Sequence, residues 1–102
     1  MTTPATVTCL HLLLSASPTA LACCHDLAAA GDTVLFADEG VLHLLDGGGI
    51  SGWPSGCELI ISAPCLAARG LDDAARATGV TVLDDRGFAG LLRRHPRCLS
   101  WK

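Results

Sequence analysis

Apolar residues along this chain fall in short continuous runs, each closed by proline, glycine or an acidic pair. Residues 6–14 (TVTCLHLLL) form the first run, bounded by Pro4 and by Ser17-Pro18, as expected of a strand buried on both faces. Ser followed by Pro is a helix start, with Ser17 as N-cap and Pro18 as first helical residue. An alanine-rich helix then runs to Ala30 and is closed by Gly31. The alternation continues with a strand over 33–37 (TVLFA), a turn at Asp38-Glu39-Gly40, a short helix over 41–45 and a flexible loop over 46–52 (DGGGISG). A third strand is expected over 58–63 (ELIISA), a helix from Pro64 to Arg69, a helical turn from Asp72-Asp73 to Gly79, and a fourth strand over 80–83. Asp84-Asp85 caps a helix over 86–94 that Pro96 ends, and 98–101 make a short terminal strand.

Strands separated by helical segments predict an α/β domain with a mostly parallel sheet of four to five strands, because parallel neighbours need crossovers. Ligand sites in such folds lie beyond the carboxyl ends of the strands. Here these ends are Ser15-Ala16-Ser17, Asp38-Glu39-Gly40 and Ser62-Ala63-Pro64.

Length limits this pattern to one core. A chain of 102 residues, half of them apolar, buries about 64% of its surface on folding. All seven Lys and Arg lie at position 69 or later, whereas the first 68 residues carry six carboxylates and no Lys or Arg. That argues against a nucleic-acid groove over this front section of the chain. The one basic cluster, Arg93, Arg94, His95 and Arg97, reads either as cations complementing a helix C-terminus or as a contact for phosphate or an acidic partner. No run reaches the roughly 18 apolar residues of a membrane span, so no membrane association is expected. The stretch 10–24 imitates a signal peptide but is preceded by no cationic residue, so the chain is expected in the cytoplasm. Its six cysteines then read as free thiols rather than a disulfide framework.

Few motifs suggest chemistry. The Gly47-Gly48-Gly49 loop has neither dinucleotide nor P-loop spacing, and reads as a linker. There is no CxxC pair and no cysteine pair at zinc-knuckle distance from a histidine pair, so neither a cofactor nor a metal is expected. His11 in a strand and His43 on a short helix read as structural residues, while Asp38 and Glu39 serve a turn as well as they would serve acid or base catalysis. That leaves Cys23-Cys24-His25. On a helix starting at Pro18, Cys24 falls between Leu21 and Leu27 on the apolar face, and Cys23 lies at its edge. Periodicity favours a buried, inert Cys24, although reactive thiols also occur on helices.

Several features in order resemble the DsrH/TusB family of the DsrE/DsrF/DsrH sulfur-relay group. They are Leu10-His11 in the first strand, Ser17-Pro18, Gly31-Asp32, Val34-Leu35-Phe36, Asp38 to Val41, Ala68-Arg69-Gly70-Leu71, Asp84-Asp85, Phe88, His95-Pro96 and Ser100-Trp101. The resemblance implies a single three-layer flavodoxin-like domain over residues 1–102, assembled with DsrE/TusD-like and DsrF/TusC-like subunits into a heterohexamer with two copies of each. Such complexes receive persulfide sulfur from donor proteins and hand it to acceptors, toward tRNA wobble 2-thiouridine or in dissimilatory sulfur oxidation, meeting tRNA only indirectly. In the oxidation branch the DsrH-type subunit carries a cysteine seven residues before the Gly that precedes the second strand. Counted from Gly31, that residue is Cys24. Cys24 is therefore the candidate persulfide carrier and Cys23, which duplicates the thiol, the second candidate. The sequence departs from the family pattern at Glu39, between Asp38 and Gly40. The alternative reading is a noncatalytic interaction subunit whose acceptor cysteine sits on a partner; a small-molecule-binding domain of this fold lacks a phosphate loop to support it.

Overall fold

A computed structural model describes residues 8–45 and 48–102. Five strands, β1 (Cys9–Leu13), β2 (Thr33–Phe36), β3 (Glu58–Ser62), β4 (Thr81–Leu83) and β5 (Arg97–Trp101), form one sheet in the order β4-β3-β2-β1-β5. All four pairings are parallel, with Leu10 beside Thr33 and Cys98, and Thr33 beside Glu58. The helices are α1 (Pro18–Leu27), α2 (Ala63–Ala68), α3 (Asp72–Thr78) and α4 (Asp85–Arg94), joined by 3-10 segments at Asp38–Leu44 and Gly48–Ile50.

Connectivity explains how the layers are distributed. From β1 to β4 the chain steps across the sheet in one direction, so right-handed crossovers put every connection on the same face. There Ala20 and Cys24 of α1, Val41 and Leu44, Leu66 of α2 and Ala75 of α3 pack on Leu13, Val34, Phe36 and Ile61. The step from β4 back to β5 reverses direction and moves α4 to the opposite face, where Leu91 and Phe88 cover Leu10, Leu35 and Ile60. β2 is sealed on both sides, and all four of its residues are buried. Each large side chain removed from water in this way contributes on the order of 1.5–3 kcal/mol.

The differences from the sequence pattern are local. α1 stops at Leu27 rather than Ala30, because Ala28 turns extended and the Ala29 N–H donates to the Asp32 carboxylate at 3.1 Å. The segment read as a helix over 41–45 is a 3-10 helix that starts at Asp38. It lies so close to β1 that a Cβ on Gly40 would run into the carbonyl of Leu13. β1 starts at Cys9; the part of the first run at residues 6 and 7 lies outside the described residues, as do residues 46 and 47 of the expected loop.

Candidate functional site

The two candidate thiols stand next to each other on α1 and point in opposite senses. Ser17 caps the helix, its hydroxyl accepting the Ala20 N–H at 3.4 Å, and Pro18 opens it. At 100° per residue, positions four apart share a face, so Ala20, Cys24 and Ala28 form the buried row while Cys23 emerges into solvent. Cys24 is 0% exposed. Burial pushes its thiol up to about 12, with smaller contributions from Cys57, Cys9 and Asp32. A thiolate is the nucleophile in sulfur exchange, and Cys24 as placed stays a protonated thiol at neutral pH. The helix therefore presents Cys23 and shelters Cys24.

The flank of α1 is closed by the segment read as a linker. Trp53 lies against His25 with ring centroids 4.6 Å apart, meets Phe36 edge-on at 6.2 Å, and donates from Nε1 to the Gly49 carbonyl at 2.7 Å. Gly52 and Gly56, at φ +77° and +88°, turn the chain on either side of it. A shallow cavity of about 290 Å³ remains between Pro18, Leu21, His25 and Ser51. The described part of the glycine-rich segment is thus a packed strap along the thiol helix rather than a loose linker.

At the amino edge of the sheet, Asp32 organises the polar groups. One carboxylate oxygen accepts the Cys9 N–H at 2.9 Å; the other accepts the Ala29 N–H and faces His11 Nε2 at 3.0 Å. Trp101 Nε1 donates to His11 Nδ1 at 3.1 Å, so the ring proton sits on Nε2, where Asp32 receives it. Burial opposes ionisation of Asp32, but the hydrogen bonds from His11, Cys9 and Ala29 outweigh it and hold the carboxyl below its ordinary value. Beside this chain opens a groove of about 620 Å³ lined by Cys9, His11, Leu27, Arg97 and Leu99. This groove lies at the amino end, opposite the end where this class of fold usually binds ligands. His11 is fully engaged by Asp32 and Trp101, and burial, followed by the Asp32 charge, raises the Cys9 thiol, while the exposed Cys98 also lines the groove.

The basic cluster divides into two parts. His95 is buried, bridging Thr33 and Thr8 hydroxyls at 2.8 Å each, and Arg94 bonds Glu58 at 3.0 Å. Burial, and then the Arg94 charge, hold His95 below the ordinary imidazole value. Arg93 and Arg97 stay exposed. At the carboxyl edge, His43 Nε2 meets the Ser15 carbonyl at 2.8 Å, a structural role as the sequence suggested. Asp38 and Glu39 are exposed, and Asp38 adopts φ +49° while its N–H donates to Cys65 Sγ at 3.2 Å. Sequence reasoning gave no role to Cys65, and Asp32 entered it only through the Gly31-Asp32 pair of the family resemblance. For Asp32 the available signal was an acidic residue just before a strand buried on both faces. Among the described residues no group of three His, Cys, Asp or Glu gathers to hold a metal, and no helix is long and apolar enough to cross a membrane.

The model of the DsrH like protein family matches residues 15–98, from the carboxyl end of β1 into β5. The chain belongs to the DsrH-like family. The matched stretch includes both α1 thiols, the strap over their helix and Asp32, while Cys9, His11 and Trp101 of its network lie outside it. DsrH-like chains are subunits of sulfur-relay assemblies of the DsrEFH type, which gives this chain partner subunits. No curated protein matches the sequence.

Proposed function

We propose that this DsrH-like chain is a sulfur-handling subunit of a cytoplasmic heterohexamer with DsrE/TusD-like and DsrF/TusC-like partners, and that the thiol pair of α1 carries sulfane sulfur as a persulfide. The observation that carries this reading is the exposure of Cys23 next to a sheltered Cys24 on the capped first helix. The Cys23 thiolate attacks the terminal sulfur of a donor persulfide. The donor S–S bond breaks, the donor leaves as its thiolate, and the new persulfide on Cys23 is passed on by the same exchange to an acceptor thiol. The step is the same whether the sulfur goes to tRNA wobble 2-thiouridine or into sulfur oxidation. Cys24 can carry sulfur only where a partner draws α1 off the sheet, since it is buried in the core cluster that also holds Phe36 and Val34.

The burial of Cys24 favours a second reading, an interaction subunit whose partner holds the acceptor cysteine. Intact mass and peptide mapping of the purified complex, after incubation with a persulfide donor, separate the two. Gain of one sulfur atom on the α1 peptide, lost in Cys23→Ser and kept in Cys24→Ala, supports the carrier. No gain on this chain while a partner is loaded supports the interaction subunit.

A further inference from the structure

The flank of α1 that meets the strap carries negative charge beside the outward thiol. Cys23 and Asp26 are both exposed and stand three residues apart on the helix, with about 5–6 Å between their Cβ atoms. Asp26 also lines the shallow cavity of about 290 Å³ that α1 forms with Ser51, together with Pro18, Leu21, Ala22 and the His25 ring. Trp53 packs against that ring at 4.6 Å and so fixes one wall. Among the described residues no ion pair or side-chain hydrogen bond engages Asp26. The chain from residue 14 to residue 57 holds five carboxylates and no Lys or Arg, and no Lys or Arg is among the residues that line the cavity. Its volume lies at the bottom of the range of small-molecule sites, about 300–1,000 Å³, which suits one inserted side chain better than a free ligand.

We propose that the protein that delivers sulfur to Cys23 seats a lysine or arginine side chain in this cavity. The methylene stem lies on Pro18, Leu21 and Ala22, as long cationic side chains cover apolar surface while their heads stay in water, and the charged head meets the Asp26 carboxylate. The inference rests on the reading of Cys23 as the thiol that meets the donor, and it adds the chemistry of that donor. Because Asp26 is one turn from Cys23, the basic residue must lie within a few residues of the donor's reactive cysteine. An exposed ion pair of this kind adds little affinity; it raises the rate of encounter and sets the orientation in which two sulfur atoms meet. Acidic donors are turned away by the same carboxylate.

The test uses the full-length chain and two peptides of equal length. Each carries one cysteine as a mixed disulfide with thiopyridine, flanked by lysines in one and by glutamates in the other. The Cys23 thiolate attacks the peptide sulfur, the mixed disulfide breaks and thiopyridone leaves, so the adduct on Cys23 is timed and mapped by mass. All rates are divided by that of neutral dithiodipyridine with the same protein, which cancels changes in the thiol itself. The lysine peptide is expected to react about fivefold faster or more, and the preference should vanish in about 1 M salt, where charges are screened within roughly 3 Å. Asp26→Asn and Ala22→Leu, which narrows the cavity without changing charge, should each reduce the preference, whereas Glu39→Gln, an equal change in net charge elsewhere, should not. Equal rates for the two peptides, a preference untouched by Asp26→Asn or Ala22→Leu, or an equal loss in Glu39→Gln would overturn the proposal. Loading of Cys23 from inorganic polysulfide is measured in parallel: sulfur on Cys23 without a peptide preference removes this inference alone, and a preference without sulfur on Cys23 removes the carrier reading.

Discussion

Asp32 is the residue on which most local structure converges, and its removal should be the most damaging single change at the amino edge. Asp32→Ala strands the Cys9 and Ala29 N–H groups and His11 Nε2–H without their acceptor. A loss of about 3 kcal/mol, or a fall in Tm of roughly 10–20 °C, is expected by thermal unfolding. Acid should act on the same network in two stages. His95 has a depressed folded value, so its neutral form is favoured by folding, and its contribution is complete above about pH 6.5 and lost as pH falls below it. Asp32 is also depressed, and its contribution is present above about pH 4 and lost on further acidification. Unfolding curves from pH 8 to 3 should show both declines, and His95→Gln should abolish the first; a Tm flat between pH 7.5 and 5.5 would contradict this. The structural roles of His11 and His43 were legible from sequence because a lone His in an apolar run must find partners when buried, whereas His95, read as part of a basic cluster, proved to be buried between Thr8 and Thr33. The hub was not, since its three donors come from positions 9, 11 and 29 and only the fold brings them together.

For the elements, punctuation carried most of the information. The Ser17-Pro18 start of α1 and the Asp84 cap of α4 stand where the sequence placed them, because capping is a local affair of a side chain and the next few N–H groups; α2 opens one residue before Pro64, at Ala63, because the Ser62 hydroxyl caps it. Ser17→Ala should cost about 1 kcal/mol in chemical denaturation. What the pattern could not supply was how closely elements approach. Gly40 reads as a turn residue, yet its essential property is that nothing larger fits against the Leu13 carbonyl. Gly40→Ala should therefore cost about 2–3 kcal/mol, more than a change of turn propensity alone. The strap at Trp53 was also hidden, since its anchors at His25 and Phe36 lie on other elements. Trp53→Ala should speed alkylation of Cys24 relative to Cys23 in mass-resolved time courses; equal ratios in both proteins would show that the strap does not protect the buried thiol.

Across the whole molecule, the alternation of strands and helices was enough to give an α/β fold, but the order β4-β3-β2-β1-β5 was not readable, because strand order depends on contacts far apart in sequence. That order decides what the molecule can do. It buries β2 in the middle, leaves β5 as a free edge beside the groove, and lays α1 over β1 with one thiol inward and one outward. Among the described residues the buried apolar side chains gather on both faces of the sheet, while Leu27, Leu45, Val82, Leu92 and Leu99 stay exposed. A DsrH-like subunit working within an assembly is consistent with such a surface. The central claim is the outward thiol of α1 as the sulfur carrier. It is tested most directly by loading the purified complex with a persulfide donor and mapping the added sulfur by mass: one sulfur atom is expected on Cys23, absent in Cys23→Ser, and sulfur found only on a partner subunit would contradict it.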